Sequence, residues 1–338
     1  MAIASTGAVS ASDIRTEYGL SGAVSFSDLY RGGTHIRAKA ANNNGINLAS
    51  SVPTSGAITF GNFRGTAKGF RYTFTAGATD QNASALFGSD YSVDYPKEIV
   101  INSGVELGAT STAEEALEID SGGAGTITVT NNGTLTGAGG AVGADGGDAF
   151  EAAVACIFVN NGTVRAGGGG GGTGGNGSYS STSNSGEIWN YSGTYWYRSG
   201  NVGVRVYWNY SVVASHWNHL TTSISSGGST YTRGSYRTGL EGGEAQGYGV
   251  TRVSTSTIYT NGGSGGIGAG YNQSAGTGSG GGTNAGTGGT GGGFGASGSA
   301  GANGNSTNGS AGGASGAYLR GSSLVTFTNN GTALGGTA

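Results

Sequence analysis

The stretch "GTGGTGGGFGASGSAGANGNS", residues 286–306, carries glycine at every third position from Gly286 to Gly304. Side chains repeat about every 3.6 residues in a helix and every 2 in a strand, so a period of three belongs to neither. It fits the polyproline II geometry, which has three residues per turn and no hydrogen bonds within its own chain. The backbone groups of such a segment must therefore be satisfied by neighbouring segments.

The same glycine period recurs in three other runs. Its positions there are Gly137, Gly140, Gly143, Gly146, Gly168, Gly171, Gly174, Gly177, Gly262, Gly265 and Gly268. The runs are short and separated by turn-forming or aromatic residues, which suits glycine helices that fold back and forth side by side, because backbones without a Cβ approach closely. We predict a polyglycine II helix bundle, with sideways backbone bonds from Gly289, Gly292, Gly295 and Gly298.

Two alternatives to the bundle stay open at this point. A collagen-like trimer needs a long unbroken glycine run stiffened by proline, but both prolines, Pro53 and Pro96, lie outside the runs. Flexible loops are typical of Gly/Ser-rich sequence. Disordered chains, however, are usually poor in aromatic residues and high in net charge, whereas this chain has 4 Trp, 17 Tyr, 10 Phe and a net charge of -3.

The composition also argues against several classes of partner. The near-neutral charge indicates neither nucleic acid nor an anionic membrane surface, since both require clustered Lys and Arg. The single cysteine, Cys156, excludes an internal disulfide. The start "MAIASTGAVSASDIR" has no basic and apolar signal pattern, and no run of 18 apolar residues occurs, so we expect no export signal and no membrane insertion.

Three short repeats occupy the amino-terminal part, at residues 6–15, 21–32 and 55–65. Each is predicted to be a glycine turn, a strand of three or four residues, and a short helical turn opened by a polar cap residue. The predicted caps are Ser12, Ser27 and Asn62. Because these units bury too little to stand alone, we expect them to pack on one another or on a partner protein, which makes residues 1–67 the predicted attachment region.

A second repeat family combines an alternating strand with an Asn-Asn-Gly turn, at residues 128–140, 157–169 and 325–336. Residues 68–130 are predicted to form mostly short strands, with one helical turn at 111–119 that exposes Glu114, Glu115, Glu118 and Asp120. The predicted fold is therefore mainly β, with strand-turn repeats at the amino terminus, a β region at 68–130 and a polyglycine II bundle at 131–338.

The bundle is interrupted by an insertion at 178–261 that holds all four tryptophans and ten of the tyrosines. A Ser-Gly-Asn turn at 199–201 and a Gly-Gly turn at 227–228 predict a small β lobe. Its Tyr, Ser, Gly and Asn content resembles antibody binding loops, although the aromatics could instead form the lobe's own small core. The candidate receptor-binding residues, in this lobe and in two turns at the same end of the bundle, are Trp189, Tyr195, Trp196, Tyr197, Tyr207, Trp208, Tyr210, Trp217, Tyr231, Tyr236, Tyr271 and Asn305.

Signals for catalysis or metal binding are weak. His216 and His219 are spaced as a metal pair but have no third ligand nearby, and Asp145 and Asp148 only loosely match Gly/Asp calcium repeats. The acidic residues are scattered along the sequence, so no pair of catalytic carboxylates is recognisable, and neither is a Ser-His-Asp triad. We therefore expect no enzyme activity, no metal and no cofactor.

Several segments together resemble a known group of proteins: "ALFGSD", "INSGVELGAT", "TNNGTLTGAGG", "VNNGTVRAGGGGGG" and "GGASGA". In this order they are similar to glycine-rich tail proteins of bacteriophages, and the bundle resembles the polyglycine sandwich of T-even-type tail-fibre adhesins. The resemblance covers about residues 75–338. It implies a glycine-rich stem whose joining loops bind host receptors, while the amino-terminal region, the β region and the large insertion depart from that family.

The resemblance implies a tail-fibre or tail-tip adhesin of the virion, assembled in the host cytoplasm. Its expected partners are a host surface receptor, either an outer-membrane protein or a polysaccharide, and other phage tail proteins at the amino-terminal region. A homo-trimer is also possible on this basis. The alternatives are a purely structural virion component, such as a tail-tip or head decoration protein, and a polysaccharide depolymerase.

Overall fold

The computed structural model describes residues 2–192, 195–198, 206–207, 223–226, 229–237 and 247–338, and it describes side chains in 2–182 and 255–338. The chain forms two compact units. One combines residues 1–177 with 261–338, and the other is residues 178–260. In the described part of the chain, no helix is both long and apolar enough to cross a membrane.

The amino-terminal repeats each contain one short helix. These are α1 (Ala11–Tyr18) and two 3-10 helices, Phe26–Leu29 and Phe60–Phe63. Each begins at a reciprocal capping box, in which the cap residue and the residue three positions later exchange hydrogen bonds. The pairs are Ser10 with Asp13, Ser25 with Asp28, and Thr59 with Asn62.

The predicted caps Ser12, Ser27 and Asn62 are therefore wrong by two or three positions. Ser12 and Ser27 lie inside their helices, and Asn62 is the reciprocal partner of the true cap. The short strands predicted before the caps are also not formed. Those segments have no ladder partner, and their apolar side chains instead pack against the local core, as Val9, Val24 and Ile58 do.

The three repeats share one small hydrophobic core, so the prediction that they pack on one another is confirmed. Ile14, Leu29 and Phe63 occupy equivalent positions in the three helices, and all three are buried. The rest of this core is Ile3, Tyr18, Ile36, Ala49 and Val52.

The main β framework is a parallel solenoid of five coils, so the predicted mainly-β fold is confirmed. Its first sheet contains β2 (Phe70–Phe74), β5 (Lys97–Ile101), β8 (Ile127–Asn131), β11 (Cys156–Asn160) and β20 (Val325–Asn329), all paired in parallel. Its second sheet contains β3 (Ala78–Thr79), β6 (Glu106–Gly108), β9 (Thr134–Thr136), β12 (Thr163–Arg165) and β21 (Thr332–Leu334).

The third face of the solenoid is built from shorter strands. It contains β4 (Gln81–Asn82), β7 (Leu117–Ile119) and β10 (Phe150–Ala152), and beyond them the parallel pair β19 (Ala317–Leu319) and β22 (Gly336–Thr337). Helix α2 (Ala83–Phe87) and a 3-10 helix at Gly88–Asp90 follow β4. Strand β1 (Ile46–Asn47) pairs antiparallel with β2 and so closes the edge next to the amino-terminal repeats.

Inward-facing positions repeat from coil to coil and form the main core. Ile99, Val129 and Phe158 are in register on neighbouring strands, and each is 0% exposed. Phe158 also stacks on Phe150, with ring centroids 4.4 Å apart. The helical turn predicted at 111–119 is wrong, because residues 117–119 form β7 and its alternation buries Leu117 and Ile119.

The Asn-Asn-Gly turns stack into ladders where the first strand of a coil meets the second. The Nδ2 group of Asn131 donates to Oδ1 of Asn160 at 2.8 Å, and Nδ2 of Asn160 donates to Oδ1 of Asn329 at 2.7 Å. Asn131 and Asn160 are completely buried. Each buried amide is thus satisfied by the next coil, which is the condition for tolerating polar groups inside a protein.

Glycine-rich segments leave the solenoid at one corner, between the second and third strands of a coil. Residues 137–149 leave from the third coil and residues 166–316 from the fourth. A central segment, residues 165–176, exchanges backbone hydrogen bonds with six neighbours. These neighbours are residues 137–143, 144–149, 261–270, 285–294, 295–304 and 307–316; a further segment, 274–282, bonds to 261–270 and 285–294.

Successive residues of the central segment bond to different neighbouring segments, and every third residue bonds to the same one. N–H groups of Gly168, Gly171 and Gly174 donate to residues 261–270, at 2.8, 2.7 and 2.8 Å. N–H groups of the residues that follow each of these, Gly169, Gly172 and Gly175, donate to residues 295–304 at 3.0, 2.9 and 2.9 Å. The predicted sideways bonds of Gly289, Gly292, Gly295 and Gly298 are also present and are confirmed.

Glycine is required wherever a segment is surrounded. A Cβ added at any residue from Gly167 to Gly172 would lie 1.7 to 2.1 Å from a neighbouring backbone oxygen, whereas one added at Gly280 or Gly293 would meet nothing within 4 Å. The unbroken run 167–172 therefore marks the central segment. The period-three stretch 286–304 is two antiparallel segments, which reverse at Gly295, where φ is +66°.

The second unit, residues 178–260, contains a six-stranded sheet with the order β15-β14-β13-β18-β17-β16. Its strands are β13 (Gly177–Ser192), β14 (Tyr195–Arg198), β15 (Val206–Tyr207), β16 (Ser223–Ser226), β17 (Ser229–Arg237) and β18 (Gly247–Thr260). Ser226 pairs with Ser229 in the antiparallel pairing of β16 with β17, and the Gly-Gly turn predicted at 227–228 lies outside the described residues. The turn predicted at 199–201 lies outside the described residues.

Candidate functional site

Seven of the candidate binding residues lie on strands of the six-stranded sheet. Trp189 is in β13, Tyr195, Trp196 and Tyr197 are in β14, Tyr207 is in β15, and Tyr231 and Tyr236 are in β17. Trp208, Tyr210 and Trp217 lie outside the described residues, as do His216 and His219.

The pairing of β13 with β14 sorts these positions onto two faces. Trp189 is opposite Arg198 and Tyr191 is opposite Trp196. Because successive strand residues alternate between faces, these four positions share one face of the sheet. The other face receives Tyr195, Tyr197 and Tyr207, since Tyr195 is opposite Tyr207. One face therefore carries Trp, Tyr and Arg, the residue types enriched in binding hot spots, and sequence reasoning had not selected Tyr191 or Arg198.

The two candidate turns of the glycine segments lie at opposite ends of those segments, so the expectation that they share one end is wrong. The N–H of Tyr271 donates to the carbonyl of Gly137, next to β9, whereas the N–H of Asn305 donates to the carbonyl of Asn284. The segment beginning at Asn261 runs antiparallel to the central segment and returns to the solenoid before it turns. The length of one segment therefore separates the two turns.

Tyr271 packs directly on the solenoid. A Cβ added at Gly108, the final residue of β6, would lie 2.0 Å from the ring carbon Cγ of Tyr271. Gly108 thus leaves the space that the half-buried ring fills. This contact gives Tyr271 a structural role where the glycine segments leave the sheets.

Polar side chains close the other end of the glycine segments, where the chain leaves this unit after Gly177 and returns at Asn261. Oδ1 of Asn176 accepts from the N–H of Gly262 at 3.1 Å, and Oγ1 of Thr307 accepts from the N–H of Asn176 at 2.7 Å. Asn284 adopts a φ of +60° in its turn, a conformation that asparagine tolerates. Asparagines at the ends of the glycine runs were the sequence signal for these end positions, of which only Asn305 was selected.

Two carboxylates take the place of backbone acceptors between glycine segments. Oδ1 of Asp145 accepts from the N–H of Ala314 at 2.6 Å, and Oδ1 of Asp148 accepts from the N–H of Ala317 at 2.5 Å. The first bond joins residues 144–149 to the glycine segment 307–316, and the second, three residues further along both chains, joins them to the start of β19. Across the described residues, no group of three or more His, Cys, Asp or Glu side chains is arranged to hold a metal ion.

A charged cluster lies at the corner of the solenoid around Arg320. Its Nη1 lies 3.6 Å from Glu115, 3.7 Å from Asp148 and 3.5 Å from Glu151. Burial, together with the neighbouring carboxylate of Glu151, raises the pKa of Glu115 to about 7. The expectation that Glu115 and Glu118 lie on an exposed turn is therefore wrong, since Glu118 belongs to β7 and the Glu115 side chain is only 10% exposed. The cluster can tie three segments together electrostatically.

Lys97 is a second buried charge that has a structural explanation. Its side chain is completely buried, and Nζ donates to the carbonyls of Val93, Tyr95 and Ala124 at 2.7, 2.9 and 2.6 Å. Burial lowers its pKa to about 8. The amine thereby holds two loops of the solenoid together.

This architecture defines a class of protein in which a β framework carries inserted segments that are rich in aromatic residues. Residues 69–257, more than half of the chain, match the family described as phage tail fibre adhesin Gp38. The chain belongs to this family, and it is a tail adhesin. No curated protein matches it.

Among solved structures, the chain is similar to the gp37-gp38 adhesin tip complex of the bacteriophage S16 long tail fiber. The sequence identity is 16%, and the TM-score is 0.40. The match covers 84% of this chain and 88% of that chain.

Proposed function

We propose that this adhesin binds a host cell-surface receptor through the aromatic-rich sheet of residues 178–260. The observation that carries the proposal is the shared face of Trp189, Tyr191, Trp196 and Arg198, fixed by the register of β13 with β14. Trp, Tyr and Arg dominate the energetics of binding surfaces because they bury large areas and also offer hydrogen bonds. Such a face suits an outer-membrane protein loop or the faces of a polysaccharide.

The glycine segments serve in this proposal as a polyglycine II stem. The period-three rotation of the hydrogen bonds and the six neighbours of the central segment support that geometry. A stem built from glycine has few side chains with which to recognise a ligand. Recognition therefore falls to segments that leave it, which are the inserted sheet and the turn at Asn305.

The contact residues are then drawn from the candidates of the inserted sheet, Trp208, Tyr210 and Trp217 included. Tyr271 stays an untested candidate at the other end of the glycine segments, where its ring packs on Gly108. As an adhesin of this kind, the protein acts by binding and not by catalysis, and it takes part in assembly of the virion tail inside the host.

Residues 1–67 attach the adhesin to another phage tail protein. Phe26 and Phe60 occupy equivalent positions in two repeats, are 41% and 39% exposed, and meet edge to face with centroids 5.3 Å apart. They line an apolar cleft of about 140 Å³ together with Ile14, Leu20 and Val24. Exposed apolar surface of this kind marks protein interaction sites.

The attachment region is tested by Phe26→Ser combined with Phe60→Ser in the complete protein. We expect virions that lack the adhesin, while the purified protein stays folded with a slightly lower melting temperature because one aromatic pair is lost. Leu324→Ser, which alters a side chain exposed to a similar 40% elsewhere, is the control and should assemble normally. Normal incorporation of the double variant would disprove this attachment surface.

Receptor binding is tested by adsorption of phage that carry Trp189→Ala combined with Trp196→Ala. Loss of hot-spot residues costs about 2 kcal/mol or more each, so adsorption should fall by at least an order of magnitude. The control, Tyr195→Ala with Tyr197→Ala, alters the opposite face of the same strands and should reduce adsorption far less. Equal loss in both pairs would show only that the sheet had been damaged.

A larger deletion tests the site as a whole. Removing residues 186–246 and joining β13 to β18 with a short Gly-Ser turn should abolish adsorption while the first unit keeps its melting temperature. Pull-down of separated outer-membrane protein and polysaccharide fractions by the complete protein identifies the receptor class. Normal adsorption of the deletion variant would favour a purely structural role in the virion, and clearing of host capsule would favour a depolymerase.

A further inference from the structure

We propose that Phe294, held on Arg165, fixes the point at which the glycine stretch 286–304 reverses. Because the reversal decides how far the second segment extends, Phe294 also positions the turn at Asn305 at the other end. Only the consequence for binding rests on the proposed function of that turn. The positioning itself does not depend on it.

The backbone bonds of the reversed stretch do not by themselves specify where it reverses. N–H groups of the second segment donate to carbonyls of the first segment at 2.8 to 3.0 Å. The donor and acceptor pairs are Ala296 with Gly293, Ser299 with Thr290, Ala302 with Thr287, and Asn305 with Asn284. Since donors and acceptors both recur every three residues, a slip of three residues restores the same kind of bonds and lengthens only the turn. A side chain is therefore needed to select one register.

Phe294 supplies a side chain of this kind at the reversal. It is the one large apolar residue between 286 and 304, and it lies in the tight turn with Gly295. Its half-buried ring lies under the guanidinium of Arg165, whose Cζ is 3.8 Å from the ring centroid. A cation within about 6 Å of an aromatic centroid is attracted to the ring face. The N–H of Gly295 adds a bond of 2.9 Å to the carbonyl of Ala166, so the turn is attached directly after β12.

Arg165 is itself held in place by the second sheet of the solenoid. Its Nε donates at 3.0 Å to Oγ1 of Thr136, its register partner in β9. Its Nη2 donates at 3.0 Å to Oε1 of Glu106 in β6. Charged hydrogen bonds of this kind fix the plane of a guanidinium. The surface on which the Phe294 ring stacks is therefore formed by residues outside the glycine segments.

A slip of three residues would separate these groups and move the far turn. The turn would lengthen by three residues, and it would no longer hold the Phe294 ring on Arg165. Asn305 would shift by about 9 Å along the first segment, which is three residues at the polyproline II rise, and would no longer face Asn284. Phe294 is thus a positioning residue, since it sets the place of the Asn305 turn without belonging to it.

Disulfide cross-linking of the complete protein reports the register directly. Residues bonded across the two segments lie close enough for a disulfide, whereas residues three positions out of register lie too far apart. With Phe294 present, oxidation should link the exposed pair Thr287→Cys with Ala302→Cys. It should not link Thr287→Cys with Ser299→Cys or with Asn305→Cys. Cys156 does not compete because it is buried.

Adding Phe294→Ala should raise the yield of the out-of-register disulfides by at least about threefold, the shift expected when a partly exposed cation–π contact is lost. Phe294→Tyr keeps a ring over Arg165 and should keep the single register. Phe294→Leu keeps apolar volume in the turn if the alanine variant does not fold, and it should also give out-of-register product because it has no aromatic face.

Ser299→Ala is the matched comparison within the same pair of segments. It removes the other side-chain link between them, a bond of 2.7 Å from the N–H of Thr290 to Oγ of Ser299, and should keep the single register. A single register in both Phe294→Ala and Phe294→Leu would overturn the proposal. A mixed register in Ser299→Ala with a single one in Phe294→Ala would do so as well, because the hydroxyl would then select the register.

Adsorption of phage carrying Phe294→Ala separates this inference from the proposed function. If the register becomes mixed while adsorption stays normal, Phe294 positions the turn but the Asn305 turn does not bind the receptor. If the register stays single, the inference fails whatever the adsorption, and the proposed receptor site on the inserted sheet is unaffected.

Discussion

The solenoid and the glycine segments belong to one compact unit but have opposite kinds of interior. In the solenoid, Ile99, Val129 and Phe158 fill the space between sheets, and the stabilisation comes from apolar area removed from water. In the glycine segments, the nearest neighbours of residues 167–172 are backbone atoms. There, stabilisation rests on hydrogen bonds that hold backbones at distances which no side chain would permit.

The two interiors therefore respond to substitution in opposite ways. The solenoid is damaged when volume is removed, because cavities lose both transfer free energy and contacts. The glycine segments are damaged when volume is added, because the obstructing atoms are backbone carbonyls that cannot rotate away. The following three predictions test this contrast, from the largest expected effect to the smallest.

Removing the Phe158 ring should destabilise the solenoid most. Its side chain is 0% exposed and contacts both Phe150 and Phe327, so Phe158→Ala should lower the free energy of unfolding by about 3–5 kcal/mol. The adjacent residue Ile157 is 37% exposed, and Ile157→Ala should cost much less. Chemical denaturation measures both values, and equal losses would contradict the assignment of Phe158 to the core.

Adding one methyl group at Gly170 should destabilise the glycine segments by about 1–3 kcal/mol or more. The new Cβ would lie 1.7 Å from the carbonyl oxygen of Ala141. The same substitution at Gly280, where nothing lies within 4 Å, should be neutral or slightly stabilising because it restricts the unfolded chain. Thermal melting of the two variants compares them directly. A Gly170→Ala protein as stable as Gly280→Ala would argue against a crowded backbone interior.

The smallest effect concerns the corner where the glycine segments join the solenoid. The pKa of Glu115 rises from its usual 4.5 to about 7 in the folded protein, so folding favours its protonated form. Protonated Glu115 therefore stabilises the folded state fully below pH 4.5, and this contribution is lost as the pH rises through 7.

Glu115→Gln should flatten the dependence of unfolding free energy on pH between 4.5 and 7. Glu114→Gln, which alters the exposed neighbour, should leave that dependence as in the wild type. If Glu115→Gln kept the wild-type slope, another group would be responsible for it.

The glycine period was sufficient to predict the sideways hydrogen bonding, because a period of three excludes helix and strand. The antiparallel pairing of β16 with β17 was likewise predictable, since Gly-Gly between alternating segments favours a hairpin. Local signals of this kind specify local geometry. They also predicted the helical turns of the amino-terminal repeats, although not the exact cap residues.

The strand pairing of the solenoid and the positions of the ends of the glycine segments could not be predicted from the sequence, because both depend on contacts between distant residues. Strand β11 pairs with β20 across a separation of 169 residues, as the bond from Asn160 to Asn329 shows, and alternation within a strand does not identify its partner. The reversal at Gly295 preserves the glycine period, so the stretch 286–304 looked like one segment. The return of residues 261–270 to the solenoid decides where Tyr271 lies, and the reversal at Gly295 decides where Asn305 lies.

Amide hydrogen exchange of the central segment tests most directly whether a backbone interior holds the glycine segments together. The account predicts that the N–H groups of Gly168 to Gly172 exchange as slowly as those of Val129 and Phe158 in the solenoid, because both sets are buried and hydrogen-bonded. Exchange of these glycines at the rate of an unstructured peptide, while the solenoid stays protected, would show that they are flexible loops and contradict the account.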